Sequence, residues 1–351
     1  MTVSPFLIRG RELGRGPAFV IAEAGVNHNG DLDLARRLVD AAAAAGADAV
    51  KFQTFRTDAL VSAAAPKARY QVETTGGGES QQAMLARLEL GWDAHATLRD
   101  HAAARGLVFF STPFDEASAD LLGELGVELF KVPSGEVTNL PLLRHVAAKG
   151  RPVLLSTGMS TLDEVATAVE TIRAAGDPPL AILHCVSAYP APVEDTNLRA
   201  MDTLRTRFGR PVGLSDHSLG IEIALAAVAR GAAVLEKHLT LDRALPGPDH
   251  RASLEPTDFI ALVRGIRTIE RALGDGDKRP MPSEVDTRAV ARRSLVAARR
   301  LPAGHRLTRA DIAIKRPGTG IAPGDLDAVV GRTLARALDA DELLDWSALR
   351  P

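Results

Sequence analysis

The chain has one cysteine, Cys185, among 351 residues. An internal disulfide framework is therefore excluded, and a lone thiol fits a reducing compartment. No charge of one sign dominates either: 42 Lys and Arg face 44 Asp and Glu, for a formal net charge of −2. With no basic run, nothing electrostatic points to nucleic acid or a membrane surface as partner. Residues 1–15 lack the apolar stretch of a secretory signal, and no run approaches membrane-spanning length. The expectation is a soluble, cytoplasmic protein. Its length and 46% hydrophobic content allow one large domain and a small one.

What is present is a regular alternation. Short apolar runs at 18–24, 48–53, 107–112, 128–132, 152–157, 181–187, 211–215 and 233–238 read as strands. Helical patterns such as 32–45, 94–105, 117–125, 140–149, 162–175 and 221–230 lie between them. Strand–helix alternation argues for a parallel sheet with helical crossovers. Eight such units match a closed (β/α)₈ barrel, the TIM barrel, over residues 1–275. A doubly wound open sheet is the alternative. One loop is conspicuously long, from Phe55 to about Gln82 through Gly76-Gly77-Gly78. Loops of that length in compact domains are usually functional or mobile.

The alternation breaks near Gly274–Pro282, and residues 276–290 read as a linker. Residues 291–351 have another texture of short strands, turns and single helical turns. They suit a small β-rich module whose core would be marginal alone, so docking on a barrel is expected.

Polar residues recur at the strand ends with period-two spacing, which puts them on one face. His217 and His238 close neighbouring strands, at the rim where barrels carry their chemistry. Two imidazoles there suggest a divalent metal, although a lone strand-end histidine is ordinarily a hydrogen-bonded core residue. Glu236 shares a face with His238. Lys51 and Lys131 sit at strand ends, where unpaired burial is costly, and so suggest an anionic ligand. Glu23, Gln53, Thr112, Ser156 and Ser215 close other strands, the hydroxyls serving as extra donors. Phosphate plus carboxylate would satisfy that set.

Bland readings stand beside these. Either lysine can pair with a carboxylate, as Lys237 is expected to do, or act as a Schiff-base nucleophile. Glu136, after Pro133-Ser134-Gly135, is equally a helix cap or an acid/base group. Asn29 and Asp31 read as a turn and N-cap. His184 and Cys185 read as packing residues.

Taken together, the chain resembles the sialic acid synthase (N-acetylneuraminate synthase) family. The matching stretches include Ile21–Gly30, Val50-Lys51-Phe52-Gln53-Thr54, Ser111-Thr112-Pro113-Phe114 and Lys131–Glu136. They continue through Leu155–Met159, Leu183-His184-Cys185, Tyr189-Pro190-Ala191-Pro192, Gly213–His217 and Pro246-Gly247-Pro248-Asp249. Lys315–Gly320 in the tail is similar to the antifreeze-like (SAF, β-clip) domain which that family appends. The resemblance spans essentially the whole chain in order.

The resemblance implies a transferase that condenses phosphoenolpyruvate with the open-chain aldehyde of a 2-acetamido sugar, releasing a nonulosonic acid and phosphate. It implies Mn²⁺, or Mg²⁺ or Co²⁺, on His217 and His238. Lys51, Thr112, Lys131, Ser134, Ser156, Ser187 and Ser215 would hold phosphoenolpyruvate. Glu23, Gln53, Tyr189 and Asp249 would face the amino sugar, with Glu136 as acid/base group. A homodimer is implied, in which the small domain reaches over the partner's active site and brings Arg316 to the sugar.

Three departures bear on the substrates. Ser187 stands where some members would have asparagine. The Gly76–Ser80 stretch has no asparagine for the sugar, and Arg292–Arg293 replaces an apolar position of members specific for N-acetylmannosamine. A 2,4-diacetamido-6-deoxy acceptor, leading to a legionaminic-type acid, is thus the alternative. A Schiff-base pyruvate aldolase and a non-catalytic carbohydrate-binding protein are the remaining readings.

Overall fold

The computed structural model describes residues 4–350 and divides the chain into two compact units, Met1–Gly274 and Asp275–Pro351. In the first, eight parallel strands form one sheet. They are β1 (Phe19–Gly25), β2 (Ala49–Thr54), β3 (Val108–Pro113), β4 (Phe130–Val132), β5 (Val153–Ser156), β6 (Leu180–Cys185), β7 (Val212–Asp216) and β8 (Val234–His238). The ladder runs β3-β2-β1-β8-β7-β6-β5-β4, and its two edge strands pack side by side, nearly closing a barrel. A two-stranded hairpin, Phe6–Ile8 with Arg11–Leu13, precedes β1.

Eight helices follow the strands: α1 (Leu32–Ala44), α2 (Trp92–Ala104), α3 (Glu116–Leu125), α4 (Leu140–Ala147), α5 (Leu162–Ala174), α6 (Ala200–Phe208), α7 (Glu222–Ala229) and α8 (Pro256–Leu273). Local chemistry sets their ends. Asp31 caps α1 by accepting from the Asp33 and Leu34 amides, and Thr161 with Glu164 forms a capping box on α5. Gly126, at φ 83°, ends α3 in the left-handed conformation that favours glycine. Along α1 the buried residues Ala35, Leu38, Val39 and Ala42 follow the helical repeat and face the sheet.

Strand alternation sends one set of side chains to the barrel axis and the other beneath the helices. Gly213 lies one layer below Ser215, beside Leu183 and Val234. A methyl there would come within 2.3 Å of the Val234 carbonyl oxygen and 2.8 Å of Leu183 Cδ2. Glycine is what lets β6, β7 and β8 close up at that point.

The Phe55–Gln82 stretch, read as a loop, instead carries helices at Thr57–Leu60, Arg69–Thr75 and, at its end, Gln81–Ala86. Their short length and glycine breaks hid them. Lys67 pins this segment, its Nζ donating to Thr75 Oγ1, the Gly76 carbonyl and Glu79 Oε1, each at 3.0–3.1 Å. The segment read as a linker likewise contains a helix, Val285–Ala291.

The second unit is built on an antiparallel pair, β9 (Ser294–Ala297) and β10 (Ile312–Lys315), with further bridges such as Leu301 to Leu338 and Leu334 to Leu349. Leu295, Leu301, Leu307, Ile312, Ile321, Leu334 and Leu344 form its own core. Beside that core Asp311 is 2% exposed and gathers four donors: the Thr308 amide (2.9 Å) and hydroxyl (2.7 Å), His305 Nε2 (2.9 Å) and Arg299 (2.7 Å). The His305 and Thr308 bonds hold its pKa well below the ordinary 3.8. A depressed carboxylate stabilises the fold above its unfolded pKa and loses that contribution as pH falls through the folded one. Asp311→Asn is therefore expected to cost about 2 kcal/mol at neutral pH, the scale of a hydrogen-bonded buried charge. The deficit should shrink below pH 3.8. Urea unfolding at several pH values measures it, and a pH-independent deficit contradicts the assignment.

Candidate active site

The C-terminal ends of the strands surround a cavity of about 400 Å³. Its floor is polar. Glu23 (β1), Lys51 and Gln53 (β2), Thr112 (β3), Lys131 (β4), Ser156 (β5), Cys185 (β6), Ser215 (β7), and Glu236 and His238 (β8) line it. Ser134, Ser187, Tyr189, His217 and Asp249 join from the loops beyond. Of the site residues expected at this chain's own cavity, Glu136 is not in this lining.

The lysines organise the floor. Lys51 Nζ donates to Thr112 Oγ1 at 2.8 Å and lies 2.8 Å from Glu23 Oε2. Lys131 Nζ donates to Ser156 Oγ at 2.6 Å. Between them sits Glu236, whose Oε1 accepts from Ser215 Oγ at 2.9 Å and lies 3.8 and 3.7 Å from the two ammonium groups. Its Oε2 is buried with no partner.

Burial and charge pull these groups in opposite directions. Burial raises Glu23 to about 7 against the pull of Lys51. Burial also lowers Lys131, and Glu236 only partly compensates. Lys51 is raised, since Glu23 and Glu236 outweigh its desolvation. For Glu236 burial opposes charge, but Lys131 and Lys51 win and lower its pKa. A phosphate and a carboxylate added here would repay Lys131 for its desolvation.

Next to Lys131 the backbone opens a cradle. The Gly158 amide donates to Ser134 Oγ at 2.9 Å. A methyl on Gly158 would sit 2.3 Å from Ser187 Oγ and 2.9 Å from Ser134 Oγ. The cradle exists because that residue has no side chain.

His217 and His238 face one another with ring centroids 5.3 Å apart. His217 Nδ1 donates to the Val186 carbonyl at 2.8 Å, so Nε2 is the nitrogen left for a ligand when the ring is neutral. Burial favours that neutral form, but Cys185 and the Val186 bond outweigh it and raise the pKa. Burial, reinforced by His217 and Lys51, keeps His238 neutral, and its Nδ1 is buried without a hydrogen-bond partner. Asp249 Oδ2 lies 4.0 Å from that nitrogen, and burial raises Asp249 to about 6. An orphaned neutral imidazole nitrogen beside a second imidazole fits a divalent ion. Among the described residues no group of three or more His, Cys, Asp or Glu gathers at ligand distance.

Tyr189 packs against His217 with centroids 4.1 Å apart and the rings tilted by 35°, and Tyr70 stacks on Tyr189 at 5.0 Å. Tyr70 comes from the Arg69–Thr75 helix of the covering segment. That segment and its surroundings make the cavity's outer wall apolar, through Val26, Phe55, Leu60, Val61, Leu85, Leu88 and Phe114.

Several placements differ from the sequence reading. Glu136 is half-buried, and its Oε2 accepts from Asn139 Nδ2 at 2.6 Å rather than facing the cavity. Asn139, not Glu136, caps α4. Cys185, read as packing, lines the cavity with its Sγ 3.7 Å from His217 Nδ1. Although burial opposes ionisation, His217 lowers this thiol to about 7. Arg316, whose expected place is the partner's cavity and not its own, is exposed in the second unit, just past β10. Asn29 and Asp31 form the turn and cap expected of them, while Asn27 Nδ2 ties that turn to Leu239 and Ser253. Glu236 was missed as a site residue although period-two spacing from His238 marked its face. Tyr70 carried no such signal.

The NeuB family model matches residues 38–278, and the SAF domain model matches residues 292–350. The N,N'-diacetyllegionaminic acid synthase of Legionella pneumophila is 48% identical, over 93% of this chain and 93% of its own. That of Campylobacter jejuni is 46% identical, over 93% of this chain and 98% of its own. Among solved structures, the N-acetylneuraminic acid (sialic acid) synthetase of Leptospira borgpetersenii, in complex with citrate, superposes with a TM-score of 0.71 at 37% identity. It covers 81% of this chain and 95% of its own.

Proposed function

Because this chain belongs to the NeuB family, we propose that its cavity is the active site of a nonulosonic acid synthase. The enzyme condenses phosphoenolpyruvate with an amino sugar. One observation carries the assignment to this site: two buried lysines, each bonded to a hydroxyl, share one cavity with a pair of imidazoles. The first pair suits an anion; the second suits the ion beside which it reacts.

Lys51 with Thr112 and Lys131 with Ser156 hold the phosphate and carboxylate, and Ser134, Ser187 and the Gly158 amide complete the cradle. Glu23, Gln53, Tyr189 and Asp249 orient the open-chain sugar. His217 and His238 would hold a divalent ion, Mn²⁺ with Mg²⁺ or Co²⁺ as substitutes, which when bound would supply Lewis-acid polarisation of the aldehyde oxygen. Carbon 3 of phosphoenolpyruvate then attacks the aldehyde carbon, and the former aldehyde oxygen takes a proton. Carbon 2, left electron-poor, is captured by water. The resulting tetrahedral carbon expels phosphate by C–O cleavage and becomes the ketone. Glu236 suits the proton of that water better than Glu136, because of the two it is Glu236 that lines the cavity. The covering segment excludes bulk water.

The outer wall supports one acceptor over the other. Its apolar side chains suit methyl groups, which a 2,4-diacetamido-6-deoxy sugar carries at three positions. The two legionaminic acid synthases, at 48% and 46% identity, point the same way. That sugar is expected to exceed N-acetylmannosamine in kcat/KM by about 10–200-fold, the range that one small apolar group commands. Mass-detected product from both acceptors measures the ratio. Equal or reversed preference assigns the enzyme to an N-acetylneuraminate-type acid.

The working unit in this reading is a homodimer in the cytoplasm, with the small domain of each copy serving the partner's cavity through Arg316. No helix among the described residues is long and apolar enough to cross a membrane.

A further inference from the structure

Behind the two histidines lies a buried ion pair that no step of the chemistry uses. Lys237 Nζ is 2.6 Å from Asp216 Oδ2 and donates to the Ser218 carbonyl at 2.5 Å. Asp216 Oδ1 in turn accepts from the Ser218 amide at 2.9 Å and its hydroxyl at 2.6 Å. The lysine side chain is 0% exposed and that of the aspartate 2%. The two residues pair directly across the β7–β8 ladder. Strand alternation turns Lys237 away from the face that carries Glu236 and His238, and neither member of the pair lines the cavity.

Stability alone is a poor account of such a pair. Desolvating two charges costs about as much as their attraction returns, and apolar side chains of similar shape usually serve as well or better. What an ion pair has and an apolar pair lacks is direction. Here each charged residue immediately precedes a histidine, Asp216 before His217 and Lys237 before His238. The ammonium draws together the Asp216 carboxylate and the Ser218 carbonyl, one on each side of His217. The His217 carbonyl is fixed separately, accepting from the Ala191 amide at 3.0 Å. The clasp thus ties the end of β8 to the turn that presents the neighbouring imidazole.

We infer that Lys237 and Asp216 are positioning residues that set the separation and aim of His217 and His238 before a metal ion arrives. The inference rests on the reading of those histidines as metal ligands, proposed above. It assigns the pair an outer role of the kind that fixes ligand geometry, where loss typically weakens metal affinity by about 10–100-fold.

The test is Mn²⁺ binding to the full-length chain, followed by the loss of the free-ion paramagnetic resonance signal, with thermal unfolding in parallel. A single Lys237→Met change strands a buried carboxylate and risks unfolding. The double variant Lys237→Met/Asp216→Asn removes both charges and keeps an amide oxygen for Ser218. It should unfold within a few degrees of the parent and bind Mn²⁺ about 10–100-fold more weakly, with metal-free phosphoenolpyruvate binding unchanged. A folded double variant with parental Mn²⁺ affinity overturns the inference. So does a double variant that fails to fold, which assigns the pair to stability. His238→Ala separates the two readings: parental affinity in that variant overturns the ligand assignment itself and the inference with it.

Discussion

His238→Ala is expected to remain folded and to lose turnover by about 10³-fold or more, since polarising a carbonyl contributes several kcal/mol and each 1.36 kcal/mol is a decade. The fold should survive because His238 Nδ1 has no protein partner to leave stranded. Steady-state rates at saturating phosphoenolpyruvate, with and without added Mn²⁺, measure the loss. Because the ligand and not the anion cradle is removed, phosphoenolpyruvate binding should persist. Retained turnover in the folded variant removes the metal assignment.

Lys131→Met carries the second large effect. It deletes the ammonium that faces the anion while sparing Lys51 and its contacts. We expect kcat/KM for phosphoenolpyruvate to fall by about 10²–10³-fold, the cost of one preorganised donor, and the KM for the sugar to move far less. The pH dependence of stability should change as well. Burial lowers the pKa of Lys131, so the unfolded chain binds more protons between the folded value and 10.5. Charged Lys131 therefore costs stability below its folded pKa, and that cost is relieved as pH rises through it toward 10.5. Methionine removes that cost but leaves Glu236 to Lys51 and Ser215 alone, so the variant should lack the rise in stability at alkaline pH. A destabilised variant with intact kcat/KM would place Lys131 in the scaffold.

The barrel was legible because every strand is a short apolar run bounded by turn residues, and none of the eight was misplaced by more than about two residues. The exceptions follow from how the signal arises. The helices of the covering segment, such as Thr57–Leu60 and Arg69–Thr75, are too short for a helical repeat to show. The strand-end site was legible through period-two spacing, which placed Lys51, Gln53 and His238 on inward faces. Loop residues lack that constraint. Tyr70 reaches the cavity through a stack with Tyr189, and nothing in a linear sequence marks such a contact. Glu136 failed to reach it because the 3₁₀ turn Ser134–Glu136 aims the carboxylate at Asn139 instead. The role of the Lys237–Asp216 pair was equally out of reach, since it depends on the register between β7 and β8.

The central claim is a condensation driven by consumption of phosphoenolpyruvate in this cavity. Its most direct test incubates the purified chain with phosphoenolpyruvate, Mn²⁺ and the 2,4-diacetamido-6-deoxy sugar, and follows phosphate and product mass together. One phosphate is expected per nonulosonic acid formed, with none released when the sugar is omitted or EDTA is added. Product formation that survives chelation, or that uses pyruvate and leaves an adduct trapped on Lys51 or Lys131 by borohydride, contradicts the account.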